Sequence, residues 1–359
     1  MAENSNEPLT STRTMSGGTD TYVLYGPPGV GGTTAAILAD PSALAFGAEQ
    51  DMRNIYKQYQ IPRRLASDAT AGSWKGRTLW TIFDLEAAVN ILRKRKADGK
   101  QTLCGVFVDD FTLMAQRTMD QMQQWAVEDA GGLGAPYTTG SGKPLASAMF
   151  KTLTEKVNRL VDDFKDMGIN LILRCHEREP GMGKDINTQE ATFYPGGPMF
   201  PSRKMGWTIQ RRLSTIIRCG MMSEFTDPLS PPGLPFTSVM MRYPPSAEWS
   251  TRDRGDALLN VAPLSLAAIM LEHGTFPVIP EREWFIEKSF AARDLTLALG
   301  AGYMDFAERS KVAKSFAAGS NLAPHDARST WQTGSALAVM RMVREGIIPP
   351  ANLSAAQNK

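Results

Sequence analysis

The stretch YVLYGPPGVGGTTAAILADP, residues 22–41, decides the fold. Its centre, GPPGVGGTT, matches the phosphate-binding loop pattern G-x-x-x-x-G-K-[ST] at every fixed position but one. Gly26 and Gly31 take the glycine positions and Thr33 takes the hydroxyl position, but residue 32, where the lysine belongs, is glycine. An aromatic and β-branched run precedes the loop and a helix-forming run follows it. This strand, loop and helix order is the context that a P-loop requires.

A P-loop binds phosphate largely through backbone N–H groups that point into one concavity at a helix N-terminus. Glycines let the backbone come close to the phosphate, and the hydroxyl of Thr33 can bind Mg²⁺. The competing interpretation is an ordinary glycine-rich turn between a strand and a helix. The predicted phosphate-contacting residues are Gly26, Pro27, Pro28, Gly29, Val30, Gly31, Gly32, Thr33 and Thr34.

Polar residues follow two further apolar runs. GVFVDD (105–110) predicts a strand that ends in carboxylates. Asp109 would hold Mg²⁺, usually through water, and Asp110 would either orient the attacking water or cap the next helix. LILRCHE (171–177) predicts a strand followed by His176, which either senses the γ-phosphate or is structural. Ligands of open α/β sheets lie at the carboxyl ends of the strands, which favours the functional interpretation.

The remaining patterns predict an α/β fold. Strands are predicted at residues 77–83, 102–110, 169–177, 214–220 and 237–244, and helices at 84–100 and 144–168. Continuous apolar strands separated by helices predict a mostly parallel sheet, covered on both faces, with YVLY, GVFVD and NLILR as adjacent central strands. The helix predicted at 84–100 is expected to have Asp84 as its N-cap and Gly99 past its end. Helical patterns dominate from about residue 263.

Composition limits the function classes. Of 359 residues, 42% are hydrophobic and 21% charged, the mix of a globular protein. A net charge of +2 argues against bulk polyanion binding but allows a local basic groove. Three cysteines without a C-x-x-C pair indicate a reducing compartment. Residues 1–19 predict a flexible arm without a signal-peptide pattern, and no apolar run is long enough to predict a membrane span.

The stretch 177–206 combines basic and aromatic residues, a mixture suited to single-stranded nucleic acid. The competing interpretation is a solvated loop. The candidate nucleic-acid-binding residues are Arg178, Lys184, Arg203 and Lys204, interleaved with Phe193, Tyr194 and Phe200. In a later loop, Arg252 and Arg254 either reach the nucleotide of a neighbouring subunit or pair locally.

Taken in order, YGPPGVGGTTAA, VFVDDFTLM, LILRCHE, STIIRCG and WSTRDRGDALLNVAPLSLAAIML resemble the phage-encoded RecA-like P-loop ATPases, over about residues 20–272. The resemblance implies a RecA-like core. The predicted domains are a flexible arm at 1–19, the core at 20–274 and a helical extension at 275–359. The extension carries Trp284, Phe285, Trp331, Met340 and Met342, more apolar residues than a solvated tail needs. It is expected either to contact another subunit or a partner, or to pack back on the core.

The same resemblance implies ATP and Mg²⁺ as cofactors, held at residues 26–34 and Asp109. It also implies a role in phage DNA recombination or replication, with single-stranded DNA at the loop after His176. Subunits would assemble as rings or filaments in the cytoplasm of a bacterial host.

Gly32 departs from the family pattern. Loss of the lysine should impair hydrolysis more than binding, because the backbone nest remains. The chain is then either an ATP-binding protein with weak or compensated Mg²⁺-dependent hydrolysis, or a degenerate nucleotide-binding module with a structural or assembly role in a phage, including the virion. A lysine elsewhere, such as Lys75, Lys143 or Lys184, could replace the charge in trans. The substitution Gly32→Lys is expected to tighten ATP binding.

Overall fold

The structure is a computed structural model. It describes residues 14–15, 18–47, 49–69, 74–100, 103–129, 132–184, 190–222, 227–229, 237–242, 248–255, 261–278 and 282–349. Most of the predicted N-terminal arm lies outside these residues. Within it, the short strand β1 (Thr14–Met15) pairs antiparallel with β14 (Pro277–Val278).

The other elements follow the predicted alternation of strands and helices. The remaining strands are β2 (Thr21–Tyr25), β3 (Leu44–Gly47), β4 (Gly105–Asp109), β5 (Asn170–Cys175), β6 (Glu177–Arg178), β7 (Gly181–Lys184), β8 (Ala191–Tyr194), β9 (Gly197–Pro198), β10 (Thr215–Met222), β11 (Thr237–Met241), β12 (Arg252–Asp253) and β13 (Val261–Pro263). The helices are α1 (Gly32–Ala39), α2 (Glu49–Gln58), α3 (Ile82–Ala97), α4 (Phe111–Glu128), α5 (Ala146–Met167), α6 (Arg203–Gln210), α7 (Leu266–Glu272), α8 (Glu283–Leu299), α9 (Phe306–Gly319) and α10 (Pro324–Arg344).

The central sheet has the order β13-β11-β10-β2-β5-β4-β3, and β12 pairs with the start of β10. All pairs from β10 to β3 are parallel, whereas β11, β12 and β13 join antiparallel. In this register Tyr25 lies opposite Cys175, and Val108 lies opposite Leu173. The carboxyl ends of β2, β5 and β4 therefore meet at one edge of the sheet, where the glycine loop begins.

Every residue of β2 and of β5 is buried. Because successive strand residues face opposite sides of a sheet, both faces of these strands are covered. The predicted adjacency of YVLY, NLILR and GVFVD is confirmed, since β2, β5 and β4 are neighbours in that order. The predicted fold class, an α/β core with a mostly parallel sheet and a helical C-terminal part, is likewise confirmed.

The strand predicted at residues 77–83 is wrong, because α3 begins at Ile82 and the preceding residues pair with no strand. The apolar run instead packs Trp80 edge-on against Phe46 of β3, with ring centroids 5.0 Å apart. The predicted N-cap is also wrong by one turn. Thr81 is the N-cap, and its backbone N–H donates a hydrogen bond of 2.8 Å to Oδ2 of Asp84. This is a capping box in which aspartate takes the glutamate position.

Two of the C-terminal helices, α8 and α10, pack on the core that contains the central sheet. Phe285 of α8 and Met340 of α10 belong to the same buried cluster as the sheet. Gln332 donates to the carbonyl of Leu264 over 2.7 Å, and the hydroxyls of Thr333 and Ser265 lie 2.9 Å apart. Of the apolar residues that motivated a partner contact, Phe285, Trp331, Met340 and Met342 are buried within the chain itself, and Trp284 is partly buried. The domain boundary near residue 275 stays a prediction.

Close contact between α8 and α10 depends on Gly334. A Cβ at this position would lie 2.5 Å from the carbonyl oxygen of Ser289 and 2.6 Å from the Cβ of Ala292. We therefore expect Gly334→Ala to lower the free energy of unfolding by about 1–3 kcal/mol through overpacking, measured by urea denaturation. The matched control is Gly319→Ala in α9, where nothing lies within 4 Å. An equal effect of both substitutions would contradict this packing.

Candidate phosphate-binding site

The loop between β2 and α1, residues 26–31, has the backbone of a phosphate nest. Gly29 and Gly31 have φ angles of 81° and 84°, in the left-handed region that disfavours residues with side chains. Gly31 is also the N-cap of α1 and accepts the first helical hydrogen bond, 2.9 Å from Ala35. The first N–H groups of α1 have no partner within the helix, so they are available to an anion in the loop.

Two predicted metal ligands meet at this loop. The hydroxyl of Thr33 in α1 donates a 2.6 Å hydrogen bond to Oδ2 of Asp109, which ends β4. Hydroxyl and carboxylate oxygens are ligands that Mg²⁺ prefers, and Mg²⁺ commonly takes few protein ligands together with phosphate oxygens and water. The pair therefore fits Mg²⁺ held jointly with a bound phosphate. Among the described residues, no group of three or more His, Cys, Asp or Glu side chains could hold a metal alone.

Asp110 and His176 also come together. Asp110 is the N-cap of α4, with Oδ1 accepting from Thr112 N over 2.7 Å. Its other oxygen contacts Nε2 of His176, whose backbone N–H donates to the Thr112 hydroxyl over 2.9 Å. The capping alternative for Asp110 is therefore realised, while the contact with His176 leaves the catalytic alternative in place. The imidazole is about half exposed, at 56%, so it can face a ligand at the strand ends.

Two thiols at this edge are not candidate nucleophiles. Cys175 ends β5 and Cys219 lies in β10, and both are fully buried. Burial raises the pKa of Cys219 to about 12 and raises that of Cys175 well above its ordinary value. Both groups therefore remain protonated at neutral pH, in which state thiols are poor nucleophiles.

A cavity of about 370 Å³ opens beside the loop. Gly29, Gly31 and Thr34 line one side of it, and α10 lines another. The Arg328 side chain of α10 is held there by Asp227, with Nε and Oδ2 2.5 Å apart. The C-terminal helix thus forms a wall of the space next to the predicted phosphate site, which nothing in the motif patterns indicated.

The predicted nucleic-acid loop is built from two antiparallel strand pairs, β6 with β9 and β7 with β8. On the β7–β8 pair, Met182 and Phe193 lie opposite each other and are exposed. Phe200, by contrast, is buried against Phe111 with ring centroids 5.9 Å apart, so it cannot stack on a base.

The basic residues predicted to bind nucleic acid are distributed over this region. Arg178 bonds to the carbonyl oxygen of Phe200 at the base of the strand pairs. Lys184 ends β7, and Arg203 and Lys204 begin α6, but the side chains of these three fall outside the described part of the structure. The structure therefore does not bring the four basic groups into one described cluster.

The arginines of the late loop pair locally. Arg252 donates to the Arg211 carbonyl oxygen over 2.7 Å, and Arg254 donates to the same oxygen over 3.2 Å. Arg252 also reaches the carbonyl of Gln210, at the end of α6. These contacts fit the local alternative, in which cations bind the free carbonyls at a helix C-terminus.

One residue at the site is absent from the motif patterns. Arg174, in β5, lies against the loop and against Gly32. An arginine within the otherwise apolar run LILRC, on a strand predicted to lie next to the glycine loop, is the sequence signal that could have found it.

Among the described helices, none combines the length and the apolar character needed to cross a bilayer.

Comparison with known proteins gives a distant structural likeness. A KaiC-like protein from the hyperthermophilic archaeon Pyrococcus horikoshii OT3 is similar in structure, with 12% sequence identity and a TM-score of 0.29. The match covers 68% of this chain and 93% of that chain. No protein-family model and no curated protein matches the sequence. A likeness at this level assigns neither a ligand nor an activity, so the function rests on the site itself.

The two roles of Asp110 can be separated by two substitutions. Asparagine caps helices about as well as aspartate, whereas alanine does not. Asp110→Ala should therefore lower the free energy of unfolding by about 0.5–2 kcal/mol, and Asp110→Asn by no more than about a few tenths. Urea denaturation measures both. Equal destabilisation by the two variants would show that the carboxylate charge, and not the cap, stabilises the fold.

Proposed function

We propose that the chain is a RecA-like P-loop protein that binds Mg²⁺ and ATP. The observation that carries this proposal is the 2.6 Å hydrogen bond between Thr33 and Asp109. These residues come from two motifs 76 positions apart, and the sheet brings them together at the N-terminus of α1. An ordinary strand-to-helix turn would not require a carboxylate there.

Each group of site residues has a different proposed role. The N–H groups of the loop and of the first turn of α1 would hold the phosphates. Thr33 and Asp109 would hold Mg²⁺, which supplies neutralisation of charge on the phosphate oxygens. Asp110 and His176, in contact at the strand ends, would orient a water beside the terminal phosphate. The cavity between the loop and α10 has the size for a nucleoside.

We further propose that the protein acts on DNA in phage recombination or replication. The support is the β7–β8 strand pair, which exposes Phe193 in a stretch that also contains Arg178, Lys184, Arg203 and Lys204. Basic side chains bind single strands by contacting phosphates, and exposed aromatic rings bind them by base stacking. The protein would assemble as a ring or filament in the cytoplasm of a bacterial host.

Gly32 favours a second candidate function. Without a lysine in the loop, hydrolysis could be too slow to drive DNA transactions. The chain would then be a degenerate nucleotide-binding module with a structural or assembly role in a phage, including the virion. The two candidates differ in turnover, because the first predicts measurable Mg²⁺-dependent ATP hydrolysis and the second predicts none.

Nucleotide binding is testable by calorimetry. The full chain should bind ATP more tightly with Mg²⁺ than with EDTA. Asp109→Asn should abolish that difference and weaken Mg²⁺·ATP binding about tenfold or more, because it removes a charged metal ligand. The matched control, Asp162→Asn, removes an exposed carboxylate that pairs with Arg212 and should bind like the wild type. Absence of nucleotide binding by the wild type would reject the proposed function.

DNA binding has its own test. Phe193→Ala should weaken binding of a fluorescent single-stranded oligonucleotide by about 5- to 150-fold, since stacking on one base is worth about 1–3 kcal/mol. Phe306→Ala, which removes another exposed phenyl ring on α9, is the control and should change nothing. If both variants bind the oligonucleotide as tightly as the wild type, this surface has no role in DNA binding. That result would leave the proposed ATP site unaffected.

A further inference from the structure

Arg174 lies where the side chain of residue 32 would lie. It is in β5, opposite Leu24 of β2, one residue before the carboxyl end of the strand. A Cβ placed on Gly32 would be 2.8 Å from its Nε and 3.1 Å from its Cδ. A side chain at position 32 and the present position of Arg174 are therefore mutually exclusive. Glycine at 32 makes room for the arginine of the neighbouring strand.

The guanidinium group is directed at the loop. Nη2 donates to the carbonyl oxygen of Gly26, the first residue of the loop, over 3.1 Å. Nη1 contacts the carbonyl oxygen of Cys175. Arg174 thus binds the beginning of the loop and lies beside the first residue of α1. It spans the region in which a P-loop lysine would extend.

Arg174 is also an uncompensated buried charge. Only 9% of its surface is exposed, and among the described residues no carboxylate forms an ion pair with it. Buried charges in proteins are normally paired, because burial without a counter-charge is costly. The two carbonyl oxygens supply dipoles but no negative charge. A phosphate anion in the adjacent loop would supply it.

The arginine on the other side of β2 shows the contrast. Arg218 of β10 is equally buried, but its Nε lies 2.7 Å from Oε2 of Glu177, and its guanidinium stacks on Trp249, 3.7 Å from the ring centroid. Its charge is already neutralised within the protein. Of the two arginines that flank the strand leading into the loop, Arg174 is the one that needs an anion.

We propose that Arg174 supplies, in cis, the positive charge that the loop lacks at residue 32, and that it binds the terminal phosphates of the nucleotide. This assignment rests on the proposed nucleotide-binding function. Arginine suits the role because its planar fork can bind two phosphate oxygens at once. No lysine from a second subunit is then required.

With Arg174 in this position, the expected effect of Gly32→Lys on ATP binding differs from that drawn from the sequence. Gly32→Lys alone should not tighten ATP binding, because the new side chain would clash with Arg174 and place two like charges together. The gain should come only when Arg174 is removed as well. The double variant Gly32→Lys/Arg174→Met moves the charge from the strand back into the loop.

The test is calorimetry on the full chain with Mg²⁺·ATP, Mg²⁺·tripolyphosphate and AMP. Arg174→Met should weaken binding of ATP and of tripolyphosphate by about 10- to 100-fold, the usual value of one charge-assisted contact, and leave AMP binding unchanged. The double variant should regain most of the lost affinity. Arg212→Met, an exposed arginine paired with Asp162, is the matched control and should bind all three ligands normally.

Three results would overturn the assignment, and a second pair of variants keeps the test decisive if Arg174→Met does not fold. If folded Arg174→Met binds tripolyphosphate like the wild type, the arginine only supports the loop. If Arg174→Met does not fold, the double variant and Arg174→Lys replace it in the test, because each keeps one positive charge beside the loop. If both of these fold but neither binds tripolyphosphate, the positive charge has no role in binding. If the wild type binds AMP but neither ATP nor tripolyphosphate, the loop binds no terminal phosphates and Arg174 cannot have the proposed role. The cavity would then still bind a nucleoside. If it binds none of the three, the proposed function fails first.

Discussion

The parallel pairing of β2 with β5 and of β5 with β4 is the constraint on which the site depends. It brings three strand ends to one edge of the sheet, so that the glycine loop, Asp109 and His176 all lie at that edge. Because all three strands are buried on both faces, their relative positions are fixed by the core. The geometry of the loop is thus set by the sheet before any ligand binds.

At this edge of the sheet, Gly32 and Arg174 depend on each other. The missing side chain and the arginine occupy the same volume, so the departure from the P-loop pattern is accompanied by a compensating group one strand away. The C-terminal part of the chain also contributes to the site, because α10 packs on the core and forms one wall of the cavity beside the loop. Both Arg174 and α10 are distant from the loop in the sequence.

The order of strands and the core of the site were predictable because their patterns are local. Apolar runs that end in glycine or a polar residue predicted β2, β4 and β5, and the loop pattern predicted Thr33. The strand predicted at 77–83 failed because an apolar run leading into a capping box has the same composition as a buried strand. Arg174 was not predictable from motif spacing, since its role depends on which strand lies next to the loop. The burial of Trp331 and Met340 likewise depends on tertiary packing.

The most direct test of this account is a crystal structure of the full chain with Mg²⁺ and a non-hydrolysable ATP analogue. The account predicts phosphates bound by the N–H groups of residues 29–34, Mg²⁺ at Thr33 and Asp109, and the Arg174 guanidinium within hydrogen-bonding distance of a terminal phosphate oxygen. A nucleotide bound in this loop with Arg174 still directed only at the carbonyls of Gly26 and Cys175 would contradict it. So would a phosphate neutralised by a lysine from a second subunit.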